Sequence, residues 1–345
     1  MRSLTSSSVS VPVLTAIVAG ASGYTGALAA ALLHRHPVFD LVAVTSRTDA
    51  GRRLDDLYPE HRVPLILDAF DPDELGHADA AIVAYPHGAA APVVAALRER
   101  GVRVVDLSAD FRLRDPAVYA DWYGEHGAPE RFGEGVYGLP ELRRYEITEA
   151  DLVANPGCYP TATLIALAPL ARAGLVADVV VDAKSGVSGA GRAPTQTTHF
   201  VSANENVTPY GVGRHRHMPE IEQELHALGA GDAVVPAFTP HLLPLDQGEL
   251  VSCYVTTTRP VDQDALRELY AQDYGEEPFV ELAERPPGVR DVRASNVCRV
   301  HVHADPRTGK VFAFAAIDNL WKGASSQAVQ NLNLMFGLDE RAGLE

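Results

Sequence analysis

Cys158 lies in Asn155-Pro-Gly-Cys-Tyr-Pro-Thr161, just after a Pro-Gly turn and just before a helix that Pro160 opens. A thiol at a helix start meets free N–H groups and the positive end of the helix dipole. Both favour the thiolate, which is the nucleophilic form. The other two thiols, Cys253 and Cys298, fall inside alternating strand patterns and read as small buried apolar side chains. A second candidate group is Gly213-Arg-His-Arg-His-Met-Pro-Glu-Ile-Glu222. His215 and His217 fit acid/base work beside the thiol better than metal ligation, since neither nearby cysteines nor an HExxH pattern accompany them; no metal is expected.

A third group is Gly20-Ala-Ser-Gly-Tyr-Thr-Gly26, which follows an apolar strand and opens a helix. Glycines at this spacing let backbone N–H groups close on a pyrophosphate, so Gly20, Ser22, Gly23, Tyr24, Thr25 and Gly26 are set against a dinucleotide. The next strand ends Thr45-Ser46-Arg47, with a hydroxyl and a cation where an acidic residue would bind a ribose 2′-hydroxyl. Ser46 and Arg47 therefore point to the 2′-phosphate of NADP(H). Tyr85-Pro86-His87-Gly88 follows a third strand, at the carboxyl edge of the sheet, so its loop borders the same ligand. Lys184-Ser-Gly-Val-Ser-Gly-Ala-Gly-Arg192 is either a cradle for phosphate or nicotinamide, through Ser185, Gly186 and Gly189, or a flexible connector. Lys184, Arg192, Arg214 and Arg216 are the cations available to an anionic substrate.

The elements that must position these groups follow from periodicity. Apolar runs at 13–19, 41–46, 80–85 and 102–108 alternate with helical patterns, which predicts a parallel sheet covered on both faces. Residues 113–140, rich in Gly, Pro, Tyr and charge, form an excursion. From Cys158 onward a helix to about 173 is followed by longer alternating strands at 179–184, 233–239, 249–258, 297–304 and 311–317. Asp305-Pro-Arg-Thr-Gly309 turns between the last two. These predict a mainly antiparallel α+β unit, and an amphipathic helix at 325–336 closes the chain.

A length of 345 residues allows two domains. A net charge of −16 excludes a nucleic-acid binder and an anionic membrane surface, and no apolar run is long enough to span a membrane. Three separated cysteines fit a reducing cytoplasm. Residues 1–12 are Ser-rich, lack the apolar region of a signal peptide and read as a loose leader.

Taken together, GASGYTG at 20–26, LSADFRL at 107–113, YGLPEL at 137–142, NPGCYPT at 155–161, SGVSGAGR at 185–192, NENVTPY at 204–210, HRHMPEIEQEL at 215–225 and AIDNLWKG at 316–323 resemble the N-acetyl-gamma-glutamyl-phosphate reductase family of arginine biosynthesis. The resemblance implies a semialdehyde-dehydrogenase-like fold. In it a Rossmann-type NADP-binding domain, 13–157 with 318–345, carries an inserted α+β catalytic and oligomerisation domain, 158–317. It implies Cys158 as nucleophile and His217 as acid/base. It also implies Arg112, Asn155, His215 and Glu222 at the substrate, Asn319 at the cofactor, and a homo-oligomer, dimer or tetramer, acting on a small molecule. Two rival readings are a sister reductase of lysine synthesis, acting on a carrier-bound aminoadipyl phosphate, and a non-enzymatic NADP sensor.

Overall fold

The computed structural model describes residues 13–345, so the Ser-rich leader lies outside the described residues. Seven strands form a first sheet: β1 (Leu14–Ala19), β2 (Phe39–Thr45), β3 (Leu67–Asp68), β4 (Ala80–Val83), β5 (Arg103–Asp106), β6 (Val136–Tyr137) and β7 (Leu152–Ala154). Their order is β3-β2-β1-β4-β5-β7-β6, and every pairing is parallel. All four residues of β4 and the last four of β1 are buried, as expected for strands covered on both faces. The strand order reverses beside β1, between the loops that follow β1 and β4, and ligands of such sheets bind in that crevice. Three of the short strands, β3, β6 and β7, have too few residues to show a period. Within the 113–140 excursion the chain also forms a helix, Pro116–Tyr123, capped by the Asp115 side chain.

The second sheet holds β8 (Val176–Gly186), β9 (Thr208–Pro209), β10 (Ala237–Leu243), β11 (Glu249–Thr257), β12 (Val280–Leu282), β13 (Cys298–Ala304) and β14 (Lys310–Ile317), in the order β12-β13-β14-β11-β8-β10-β9. Four of its six pairings are antiparallel, as expected, and the sheet is mixed because β10 runs parallel to β8 and β12 parallel to β13. Each parallel pair is joined by a long connection, and the one from β8 to β10 carries the helix Met218–Ala227. The expected strand at 233–239 lies later, since a turn at Gly231 and Pro236 delay its start to Ala237.

The helix Cys158–Arg172 packs on this sheet and is buried along nearly its whole length. Pro169 inside it has no N–H to give the Ile165 carbonyl, and the Tyr274 hydroxyl donates to that carbonyl at 2.7 Å instead. The closing helix, Ser326–Met335, is buried at all ten positions, so it is not amphipathic in use. Its polar side chains find internal partners. Asn331 Nδ2 donates to the Gly138 carbonyl at 2.9 Å and to Asn155 Oδ1 at 3.0 Å, and Gln327 Nε2 donates to Thr161 Oγ1 at 3.1 Å. One turn earlier, Lys322 Nζ is fully buried and donates to Glu141 Oε1 at 2.6 Å and Gln330 Oε1 at 2.9 Å. The last elements of the chain thereby lock the first sheet to the helix that starts at Cys158.

Candidate active site

The dinucleotide loop is built by close approach. Gly20 has φ +93°, and a Cβ there would lie 2.7 Å from the Ala84 carbonyl oxygen; a Cβ at Gly26 would lie 2.2 Å from the Gly20 oxygen. A Cβ at Gly23 would meet the Gly20 oxygen at an ordinary 3.9 Å, and Gly23 caps the helix Tyr24–His34 with no side chain, so the first-turn N–H groups stay available for an anion. Ser22 Oγ and Ser46 Oγ hydrogen-bond at 2.7 Å, and Ser46 Oγ also accepts from the N–H groups of Thr48 and Asp49. Arg47 is exposed beside them. From the second sheet, Arg192 crosses to this corner and donates to the Ser22 carbonyl at 3.2 Å and to Asp49 Oδ2 at 2.8 Å. The residues present fit a phosphorylated dinucleotide, with a helix start for pyrophosphate and a hydroxyl–guanidinium corner at the end of β2.

The loop after β4 is shaped by the 107–113 segment. Asp110 accepts from the N–H groups of Gly88 and Ala91 and from the Tyr119 hydroxyl, at 2.8–3.0 Å. His87 Nδ1 accepts from the Ala109 N–H at 2.9 Å. Arg112 is equally structural: it is 5% exposed, and it donates to the Asn155 and Leu107 carbonyls, both at 2.7 Å, and to Glu220 Oε2 at 3.1 Å. Glu220 Oε1 in turn accepts from the Gly157 N–H at 3.0 Å and the Tyr137 hydroxyl at 2.9 Å. This buried pair fixes the peptide that leads into Cys158 and does not reach the substrate space, contrary to the expectation for Arg112. Asn155, also fully buried, is held by Asn331.

Cys158 is the first residue of its helix, capped by Gly157, and opens onto a cavity of about 590 Å³. The same cavity is lined by His87, Ser185, Gly186, Gly189, His215 and His217. The loop after β8 is thus a wall of the site and not a loose connector. Asn319 holds it from behind, donating to Ser188 Oγ at 3.0 Å while accepting from the Gly248 N–H at 2.8 Å, and does not line the cavity. Glu222 is half-buried on the helix Met218–Ala227 and also stays out of the lining, because its neighbours Glu220 and Glu224 occupy the inward face. Of the four cations set aside for substrate, only Arg216 lines the cavity. Lys184 pairs with Asp182, Arg192 with Asp49 and Arg214 with Asp121.

The electrostatics of the cavity depart from the simple helix-start argument. Burial, followed by the Glu249 carboxylate, pushes the Cys158 thiol well above its ordinary range. The Tyr159 N–H at the helix start and Arg112 pull the other way but are outweighed. Burial holds His87 down at about 3 and His215 at about 4, and keeps His217 well below the usual histidine range. All three imidazoles are therefore neutral at pH 7 before a substrate arrives. The His217 ring sits against Gly157, where a Cβ would lie 2.4 Å from its Nε2, and its Nδ1 is buried without a hydrogen-bond partner among the described residues.

Sequence reasoning missed Tyr159, Tyr210 and the 196–208 loop, which complete the lining, and it missed Glu220 and Glu249. Glu249 was within reach, since strand alternation places it on the same face as the buried Val251, Cys253 and Val255.

Residues 15–150 match the family described as semialdehyde dehydrogenase, NAD binding domain, and residues 158–319 the one described as semialdehyde dehydrogenase, dimerisation domain. The N-acetyl-gamma-glutamyl-phosphate reductase of Moorella thermoacetica is 49% identical, covering 95% of this chain and 97% of that protein. The one from Halorhodospira halophila is likewise 49% identical, over 95% and 97%. Among solved structures, aspartate semialdehyde dehydrogenase II of Vibrio cholerae in complex with ASA superposes with a TM-score of 0.72 at 20% identity, covering 94% of this chain and 98% of that one. The Candida albicans enzyme with NADP gives 0.65 at 15% identity, over 94% and 98%. Their likeness is one of fold.

Proposed function

We propose that this chain, which belongs to the N-acetyl-gamma-glutamyl-phosphate reductase family, reduces N-acetyl-gamma-glutamyl phosphate to N-acetylglutamate 5-semialdehyde and phosphate, with NADPH as reductant and a thioester on Cys158 as intermediate. One observation carries the reading: a thiol on the first turn of a helix opens into the cavity shared by His217 and the Ser185–Gly189 wall.

The Cys158 thiolate attacks the acyl carbon and expels phosphate, leaving a thioester. When bound, the reduced nicotinamide supplies a hydride to that carbonyl. His217 gives a proton to the hemithioacetal oxyanion and takes it back as the adduct collapses to aldehyde. His217 is neutral at rest, and an anionic substrate entering the cavity opposes the burial that holds its pKa down, so it takes up a proton from solvent and the resulting imidazolium gives that proton to the oxyanion. Arg216, on the lining and without a carboxylate partner among the described residues, meets the substrate's negative charge. The Ser46–Arg47 corner, with Arg192 beside it, favours NADP over NAD. A division into a cofactor unit, 13–157 with 318–345, and a catalytic unit, 158–317, draws support from the family matches at 15–150 and 158–319 and from the packing of Ala328, Val329 and Leu332 in the core of the first sheet.

Assembly as a homo-oligomer is supported by the face of the second sheet opposite its helices. There Tyr254, Phe312 and Phe314 stay half-exposed in a cluster with His301 and His303, and the matched family carries the dimerisation description. A catalytic free thiol suits a reducing cytoplasm.

The test is selective alkylation. Cys253 and Cys298 are fully buried whereas Cys158 opens into the cavity, so limiting iodoacetamide labels Cys158 first and activity falls in step. Cys158→Ala abolishes turnover and retains NADPH binding. Turnover by Cys158→Ala near the wild-type rate would refute the covalent route.

A further inference from the structure

Glu249 is fully buried at the first position of β11, paired with Ser185 of β8 on one side and Ile317 of β14 on the other. Burying a carboxyl is costly unless it is hydrogen-bonded or neutral, yet neither of its oxygens has a hydrogen-bond partner among the described residues. Its register partner Ser185 lines the same cavity as Cys158, and the Cys158 thiol and the Ser185 hydroxyl, which is turned toward the Gly186 carbonyl at 3.3 Å, both act on this carboxyl. Gly323 backs Cys158 so closely that a Cβ there would lie 2.8 Å from the Cys158 Cβ, which holds the thiol in place against the wall. The mechanism so far gives the thiol's proton no destination, since His217 is already assigned to the substrate oxygen.

We propose that Glu249 is that destination: its carboxylate accepts the Cys158 thiol proton as the sulfur attacks, holds it while the acyl group is on sulfur, and returns it when the thiolate is expelled. The inference rests on the nucleophilic role of Cys158. The steps balance. Cys158–SH and Glu249–COO⁻ become a carbon–sulfur bond and Glu249–COOH as the acyl–phosphate bond breaks, and the departing phosphate takes its proton from solvent. Hydride from the reduced nicotinamide reduces the thioester, His217 lends and recovers one proton, and the carbon–sulfur bond breaks. Glu249–COOH then reprotonates sulfur.

Two adjacent anions in a buried space are unfavourable, so carboxylate and thiol share one negative charge over a broad pH range and titrate as a pair. Burial, with the Asp318 charge adding to it, raises the Glu249 carboxyl to about 8, while the thiol and the Ser185 hydroxyl oppose this, so the carboxylate that accepts the thiol proton is the minor form at pH 7 and grows as pH rises toward 8. The other groups acting on this pair are Arg112, whose positive charge pulls the thiol down, and the uncharged Tyr159 on the Cys158 helix, Tyr210 beyond β9 and Cys298 on β13.

The experiment compares wild type, Glu249→Gln and Glu249→Asp with NADP bound, following both turnover and the pH dependence of Cys158 alkylation. In wild type the alkylation rate should rise in two steps, as for a coupled pair. In Glu249→Gln it should rise in one step at lower pH, because the neighbouring charge is gone, while kcat falls by about 10²-fold or more. Glu249→Asp should restore part of both, and NADPH binding should be unchanged in each. A single-step wild-type profile overturns the proposal without any variant, even where Glu249→Gln fails to fold. So does a Glu249→Gln enzyme with wild-type kcat and an unchanged profile. Failure of the nucleophile itself is told apart by Cys158→Ala: if that variant turns over, the covalent reading falls, and if it is dead while Glu249→Gln is normal, only the role of Glu249 falls.

Discussion

Gly157→Ala should cripple the enzyme without unfolding it. Gly157 has φ −67° and ψ 159°, a conformation open to any residue, so the backbone tolerates the change. The obstacle is the His217 ring. A Cβ at 157 would lie 2.4 Å from Nε2, 2.7 Å from Cε1 and 2.8 Å from Cδ2, whereas ordinary contact begins at 3.4 Å. The ring must therefore retreat by about 1 Å, and it can do so because it borders the cavity. A displacement of about 1 Å in a positioned catalytic group costs on the order of 10² in rate. The assay runs in reverse, with N-acetylglutamate 5-semialdehyde, phosphate and NADP, following the absorbance of the reduced nicotinamide. The expected result is a kcat about 10²-fold lower, with NADPH affinity, thermal unfolding and Cys158 alkylation near wild type. A loss in kcat of less than about tenfold would show that His217 is not held against Gly157 for proton transfer.

Other outcomes follow from neighbouring contacts. Arg47→Ala should weaken NADPH binding by about tenfold or more and leave NADH nearly unchanged, since a charge-assisted bond to the 2′-phosphate contributes about 1.5–3 kcal/mol; titration with each cofactor checks it. Glu141→Ala leaves the Lys322 ammonium buried and unpaired, which should cost about 3–5 kcal/mol, read as a lower denaturant midpoint. Acidification should destabilise the fold through His87. Its pKa falls from 6.5 unfolded to about 3 folded, so the unfolded chain binds the extra proton. Stability is whole above pH 6.5 and is lost progressively as pH falls toward 3, and His87→Gln should flatten that slope in acid titrations.

The parallel first sheet was legible because buried strands announce themselves as apolar runs, and the Gly20 loop because its glycines answer to contacts of 2.7 and 2.2 Å that only a missing Cβ relieves. The position of Cys158 at a helix start was legible for the same local reason. Its thiol chemistry was not. Residue 249 lies 91 positions away and reaches Cys158 only through the pairing of β8 with β11, so no local pattern could weigh that carboxylate against the helix dipole. Arg112 and Glu222 show the limit of motif carry-over. Membership of a matching segment does not say which side chain faces the ligand, and here Arg112 is spent on Glu220 while the helix turns Glu222 aside. The mixed pairing in the second sheet was hidden because strand direction is set by long connections that carry no periodic signal.

The buried closing helix has a consequence for the order in which the chain is made. Ala328, Val329 and Leu332 share a core with Leu28, Val105 and Val153, so one face of the first sheet is covered by residues synthesised after the entire second sheet. Once β7 emerges from the ribosome, residues 155–325 must follow before that cover exists. At ~5–20 residues per second the wait is roughly 10–30 s. During it the nascent cofactor unit has only the helix Tyr24–His34 and its near neighbours on that face, and the surface that Ala328, Val329 and Leu332 will cover stays open. A chain cut before Ser326 is consequently not a smaller enzyme but an unfinished first domain, and the step that commits the whole molecule to its fold comes with the arrival of its last helix.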